Sequence, residues 1–98
     1  MALEHMVWLT PKAGVSLEQI DTILSSVRAL DHIPGVQAIS AGRNVTDRAN
    51  GATHAFLVTL DSADDLPGYL SHPEHQVVGE ALREHCEVLA RLRFVTTT

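Results

Sequence analysis

LEHMVWLT, residues 3–10, predicts a β-strand that carries apolar side chains on both of its faces. Because alternate residues of a strand point to opposite faces, His5 and Val7 share one face, whereas Met6 and Trp8 dominate the other. A strand that is apolar on both sides has to be covered on both sides. We therefore expect helices over one face of the sheet and other protein surface over the second face.

The remaining chain contains further strand and helix patterns in a recognisable order. Strands are predicted for residues 36–41, 54–60 and 92–96, and helices for residues 16–30 and 72–90. The order β-α-β-β-α-β is that of the ferredoxin-like α+β fold, with a four-stranded antiparallel sheet and two helices on one face. We further expect the first and third strands to lie side by side and parallel at the centre of the sheet.

Length, charge and cysteine content limit the classes of function. The 98 residues suit a single domain, residues 1–98, and the formal net charge of −5 argues against a nucleic-acid surface. The single cysteine, Cys86, excludes an internal disulfide and suits a reducing compartment. Because no leader sequence or apolar run of membrane length is visible, we expect a cytoplasmic protein without a membrane partner.

A phenol and two imidazoles lie close together in YLSHPEH, residues 69–75. Pro73 suits the first turn of a helix, which places His75 where unpaired N–H groups disfavour a second positive charge. An imidazole in that position is expected to stay neutral and to accept a proton, while Tyr69 donates a hydrogen bond. This pairing is typical of proton abstraction beside a carbonyl group, with the donor stabilising the enolate oxygen.

Two further histidines begin predicted strands. His5 and His54 each lie near the start of a strand and on a face with apolar neighbours. If the first and third strands are parallel, the two imidazoles meet at the same end of the sheet. Together with Tyr69 and His75 they would form a polar cluster at the mouth of an apolar cavity between sheet and helices, which is typical of a small-molecule site.

The sequence resembles the stress-responsive A/B barrel family of dimeric α+β barrels, and within it the polyketide cyclases. The resemblance extends over nearly the whole chain and rests on His5, Ile33-Pro34-Gly35-Val36, Gly42-Arg43-Asn44-Val45, Thr53-His54, Asp65-Leu66, Tyr69 and His72-Pro73-Glu74-His75. It implies an intramolecular aldol condensation of a linear poly-β-keto thioester or acid that retains the carboxyl group and uses no cofactor. It also implies that His5, His54, Tyr69 and His75 are the functional residues.

The resemblance further suggests how substrate and subunits are arranged. The apolar pocket would be lined by Val7, Leu9, Leu24, Val27, Phe56, Val78, Leu82 and Leu89. The homodimer would form through the second sheet face, at Met6, Trp8 and Leu57. This sequence departs from the family pattern near the chain end. Family members commonly carry Asp before the last aromatic residue, whereas here Arg93 precedes Phe94. The chain end is therefore expected to be tethered differently.

Three other interpretations remain open from the sequence. The chain could be a non-catalytic dimer that binds a small apolar ligand, or a cofactor-free monooxygenase with the same architecture. A metal site built from His72 and His75, joined by His5 and His54, is less favoured. Structural zinc usually takes four ligands, often cysteines, and His72 is expected to point away from His75.

Overall fold

The structure is a computed structural model, and it describes residues 1–97. The strands are β1 (Leu3–Pro11), β2 (Val36–Arg43), β3 (His54–Leu60) and β4 (Cys86–Val95), and the helices are α1 (Leu17–Arg28), α2 (Leu66–Ser71) and α3 (Pro73–His85). The strands form one antiparallel sheet in the order β2-β3-β1-β4. The predicted ferredoxin-like fold is confirmed.

Helix α1 begins and packs as its sequence predicts. Ser16 accepts a hydrogen bond from the Gln19 backbone, and the Gln19 side chain accepts one from the Ser16 backbone, which completes a capping box. Ile20, Leu24 and Val27 lie at helical spacing and are fully buried against the sheet. This face of the sheet, covered by the helices, is called the inner face below.

The expected parallel pairing of the first and third strands is wrong. In the structure β1 and β3 are antiparallel, so His5 lies opposite Val58 and His54 lies opposite Leu9. The reason is topological: the crossover through α1 returns β2 in the direction of β1, and the connection from β2 to β3 then reverses the chain. His5 and His54 share the inner face, but four residues of strand, roughly 13 Å, separate them.

The boundary between the last helix and the last strand also differs from the prediction. Helix α3 ends at His85, and β4 begins at Cys86 and pairs with β1 along its length. Leu89 therefore lies in a strand and is 40% exposed, rather than facing inward from a helix. Pairing with β1 satisfies backbone N–H and C=O groups of both strands, and this gain outweighs the helical spacing of apolar residues after His85.

The other side of the sheet, the outer face, is apolar and uncovered in the single chain. Met6 and Leu57 are paired across β1 and β3, and Trp8 follows on the same face. Strand β4 adds Leu92 and Phe94, which are 57% and 41% exposed. No helix within residues 1–97 is long and apolar enough to cross a membrane.

Candidate active site

The junction of α2 and α3 brings Tyr69 and His75 together. Tyr69 lies in the six-residue helix α2, before α3, and α3 starts at Pro73 as predicted. His72 caps α3 through Nδ1, which accepts a hydrogen bond from the Glu74 backbone. The ring centroids of Tyr69 and His75 are 4.7 Å apart, so the phenol and the imidazole are in direct contact.

The environment of His75 suits a general base. Its Nδ1 lies 3.0 Å from the Leu70 carbonyl oxygen, which can only accept a hydrogen bond. Nδ1 therefore carries the proton in the neutral ring, and Nε2 keeps an unprotonated lone pair. Partial burial is the main cause that lowers the pKa of His75, and Arg83 and Arg93 lower it further. The ring is consequently neutral near pH 7, as the sequence predicts.

Tyr69 provides a hydrogen-bond donor without a protein partner. Its side chain is only 1% exposed, and burial raises the pKa of the phenol to about 12. Within residues 1–97 its hydroxyl forms no hydrogen bond, and its oxygen is not among the side-chain atoms sealed from solvent. A protonated, unpaired hydroxyl at the edge of the core is available to an oxygen atom of a ligand.

His5 completes a group of three residues that we call the polar trio: His5, Tyr69 and His75. The His5 ring centroid lies 6.4 Å from that of Tyr69, and His5 is 3% exposed. Burial and the positive charges of Arg93 and Arg91 lower the pKa of His5 to about 4, so the ring is neutral. Nε of Arg93 donates to Nδ1 of His5 at 3.2 Å, which leaves the His5 proton on Nε2. The trio therefore combines one base with two donors.

His54 lies in a different cluster, contrary to the predicted convergence of four polar side chains. It is fully buried, and its Nε2 donates to Asp21 Oδ1 at 2.8 Å, while the Thr53 hydroxyl donates to its Nδ1 at 2.8 Å. Arg43 binds the same carboxylate at 2.7 Å. Hydrogen bonds from Arg43 and then from His54 lower the pKa of Asp21 to about 2. This cluster, the Asp21 clamp, links α1 to β2 and β3.

Most of the residues expected to line a pocket belong to the hydrophobic core. Val7, Leu9, Leu24, Val27 and Phe56 are buried in one cluster, and Val78 and Leu82 pack against it half-buried. A cleft of about 580 Å³ lies instead on the outer face, beneath the loop that joins β2 to β3, with Met6 and Trp8 in its wall. Contact of the core residues with a substrate stays a prediction.

Sequence reasoning did not assign Arg93 a role in the site, although its unusual presence at the chain end was visible. The chain end is indeed held by a cation, through the bond from Arg93 to His5. His72 faces Glu74 and His32 rather than the trio. Because His54 is also remote, the histidines considered as a zinc set do not converge.

Comparisons with known proteins agree with this architecture. Residues 3–95 match the model of the stress responsive A/B barrel domain. The olivetolic acid cyclase of Cannabis sativa is 28% identical over 92 residues, which cover 91% of this chain and 91% of that protein. The hydroxynitrile lyase of Passiflora edulis has a TM-score of 0.87 at 26% identity, covering 98% of this chain and 94% of that chain. A dimeric ferredoxin-like protein from a Jannaschia species has a TM-score of 0.84 at 22% identity, covering 98% and 100%.

Proposed function

This chain belongs to the stress-responsive A/B barrel family, and we propose that it is a cofactor-independent enzyme of the polyketide cyclase type. Its substrate would be a linear poly-β-keto thioester or acid, which it closes to a ring by intramolecular aldol condensation. The observation that carries the proposal is the contact between the ring of neutral His75, with Nε2 unprotonated, and the ring of Tyr69, whose hydroxyl is unpaired. The similarity to a cyclase and a lyase supports an enzyme of this general kind.

The proposed reaction begins with a proton transfer. Nε2 of His75 takes a proton from the methylene between two carbonyl groups, and the electron pair of the C–H bond moves onto a carbonyl oxygen. Tyr69 and the Nε2–H of His5 donate hydrogen bonds to that oxygen as it becomes negative. The enolate carbon then forms a bond to a ketone carbon of the same chain, which closes the ring, and the oxygen of that ketone takes the proton from Nε2 of His75. Loss of the resulting hydroxyl group as water introduces a double bond into the ring.

The proposed substrate is reactive by itself, so a base and two hydrogen-bond donors would suffice for catalysis. A methylene between two carbonyls is far more acidic than an isolated one, so a neutral imidazole is a strong enough base. Ring closure also gains from holding both ends of the chain in a reactive geometry, and such positioning can supply several kcal/mol, up to about 7–11.

The outer face supports a homodimer as the working unit. Met6, Trp8 and Leu57 form a contiguous apolar surface with the exposed Leu92 and Phe94 of β4. Apolar surfaces of this kind are usually covered by protein. A second copy of the chain is the proposed cover, in keeping with the dimeric structure of the similar Jannaschia protein.

The decisive experiment replaces His75 by Asn and measures cyclisation of linear poly-β-keto thioesters and of the corresponding free acids. An Asn amide can still donate to the Leu70 carbonyl but cannot act as a base, so kcat should fall by about 10²–10⁴. His72→Asn is the matched control, because Asn is a good N-cap and His72 lies outside the trio. If His75→Asn cyclises as fast as the parent protein, the proposed mechanism is wrong.

The same assay separates the competing functions. A protein that binds an apolar ligand without turnover would retain affinity for the thioester but yield no product in the parent chain. A cofactor-free oxygenase would begin with the same proton abstraction but consume dissolved oxygen. Oxygen uptake is therefore recorded beside product formation.

A further inference from the structure

The charges around the polar trio have one sign. Apart from the histidines themselves, the charged residues that influence the pKa of His5 or His75 are Arg83, Arg91 and Arg93, and all of them are basic. The chain as a whole is acidic, with 12 Asp and Glu against 7 Lys and Arg. Three of those 7 basic residues thus lie around one small group of uncharged polar side chains.

Strand β4 places two of these arginines beside the trio. Arg93 lies opposite His5 and Arg91 lies opposite Val7, so both side chains are on the inner face of the sheet. β4 is an edge strand, and both residues are exposed to solvent. His75 is half-buried, so it also reaches solvent, and it lies close enough to Arg93 for the charge of that residue to lower its pKa.

The guanidinium group of Arg93 has unused donors. Its Nε is occupied by His5 at 3.2 Å, but within residues 1–97 its Nη nitrogens donate no hydrogen bond. Neither Arg91 nor Arg93 forms an ion pair with a carboxylate in this part of the chain. A guanidinium with a free pair of donors is suited to bidentate binding of a carboxylate.

We propose that Arg93, assisted by Arg91, binds a carboxylate of the substrate beside His5, and that the enzyme therefore prefers carbon acids that carry this group. The proposal rests on the proposed function and names its substrate class more closely. Arg93 would act in two ways, because the same guanidinium that holds the carboxylate also keeps the His5 proton on Nε2. A neutral substrate would leave these cations without a partner.

A binding experiment tests the proposal without requiring turnover. Ring closure of a poly-β-keto acid, followed by loss of water and enolisation, gives an alkyl-substituted dihydroxybenzoate. Isothermal titration calorimetry therefore compares that acid with the matching alkylresorcinol, which lacks only the carboxylate. We expect the parent protein to bind the benzoate more tightly and Arg93→Gln to weaken that binding about tenfold or more. Binding of the resorcinol should not change. Arg93→Lys keeps the charge but not the paired donors, so its affinity for the benzoate should lie between those of the parent and Arg93→Gln.

Arg48→Gln is the matched control, because Arg48 lies in the loop between β2 and β3 and should leave both affinities unchanged. Coenzyme A alone serves as a third probe, since a thioester carrier would also supply anionic phosphates. The proposal is overturned if the parent protein does not bind the benzoate, or binds both aromatic compounds equally. It is also overturned if Arg93→Gln lowers the affinity for both aromatic compounds equally, or lowers only the affinity for coenzyme A.

The two proposals can fail separately. Arg93-dependent selection of the benzoate in a protein that cyclises nothing would support the carboxylate site and refute the cyclase. Cyclisation that depends on His75, without selection of the benzoate, would do the reverse.

Discussion

Replacing Tyr69 by Phe should abolish much of the activity while leaving the fold intact. The ring of Tyr69 is buried in the core, and its hydroxyl, which forms no hydrogen bond within residues 1–97, is not sealed from solvent. Phe keeps the ring contacts and leaves no buried group unpaired, so the free energy of unfolding should change by less than about 1 kcal/mol. Removing one donor to a developing oxyanion typically lowers kcat by about 10²–10³.

Tyr69→Ala provides the contrast that makes the test informative. It removes the same hydroxyl and also leaves a cavity, which should cost about 3–5 kcal/mol of stability. Thermal unfolding and kcat/KM are measured on the parent and both variants. An unchanged kcat/KM in Tyr69→Phe would refute the donor role. A loss of stability in Tyr69→Phe as large as that in Tyr69→Ala would show that the hydroxyl has a structural partner.

Further predictions concern pH, the clamp and the dimer. The proposed base is the neutral ring of His75, and its pKa is lowered, so kcat/KM should persist below pH 6.5 and decline only at lower pH. A decline centred above pH 6.5 would contradict this role. Asp21 has its pKa lowered from 3.8 to about 2, so its ionised form stabilises the fold above pH 3.8, and this contribution disappears as the pH falls towards 2. In urea unfolding, Asp21→Asn should have a lower free energy of unfolding than the parent at neutral pH, and this free energy should not show the loss that the parent shows at acid pH. If the free energies of both proteins depend on pH in the same way, the role of the clamp is contradicted. Trp8→Glu should give a monomer or an aggregate in light scattering. The control Val45→Glu changes a loop residue that is 93% exposed and should remain dimeric. A dimer in both cases would exclude the outer face as the interface.

Local sequence patterns predicted the fold well because they act over short distances. The capping box at Ser16, the helix start at Pro73 and the alternation in β3 depend only on neighbouring residues, and all are confirmed. The length of β4 depends instead on pairing with β1, a partner distant in sequence. For that reason the segment after His85 was predicted as helix.

The part of the candidate site that depends on neighbouring residues could be predicted from the sequence, and the part that depends on distant residues could not. Tyr69 and His75 lie six residues apart, so the turn between them could be inferred from Pro73. The separation of His5 from His54 depends on strand direction, which was inferred incorrectly. The contact from Arg93 to His5 joins residues 88 positions apart in sequence, and no local pattern indicates it.

The wide spacing between the Asp21 clamp and the polar trio has an evolutionary consequence. One end of the sheet contains the bonds that join α1 to the strands, and the other end contains the groups with reactive potential. Substitutions at His75 or Arg93, and replacements of Tyr69 that keep its ring, can therefore accumulate while the clamp keeps the framework folded. A lineage built on this plan can exchange one reaction for another, or lose chemistry altogether, without first becoming unstable.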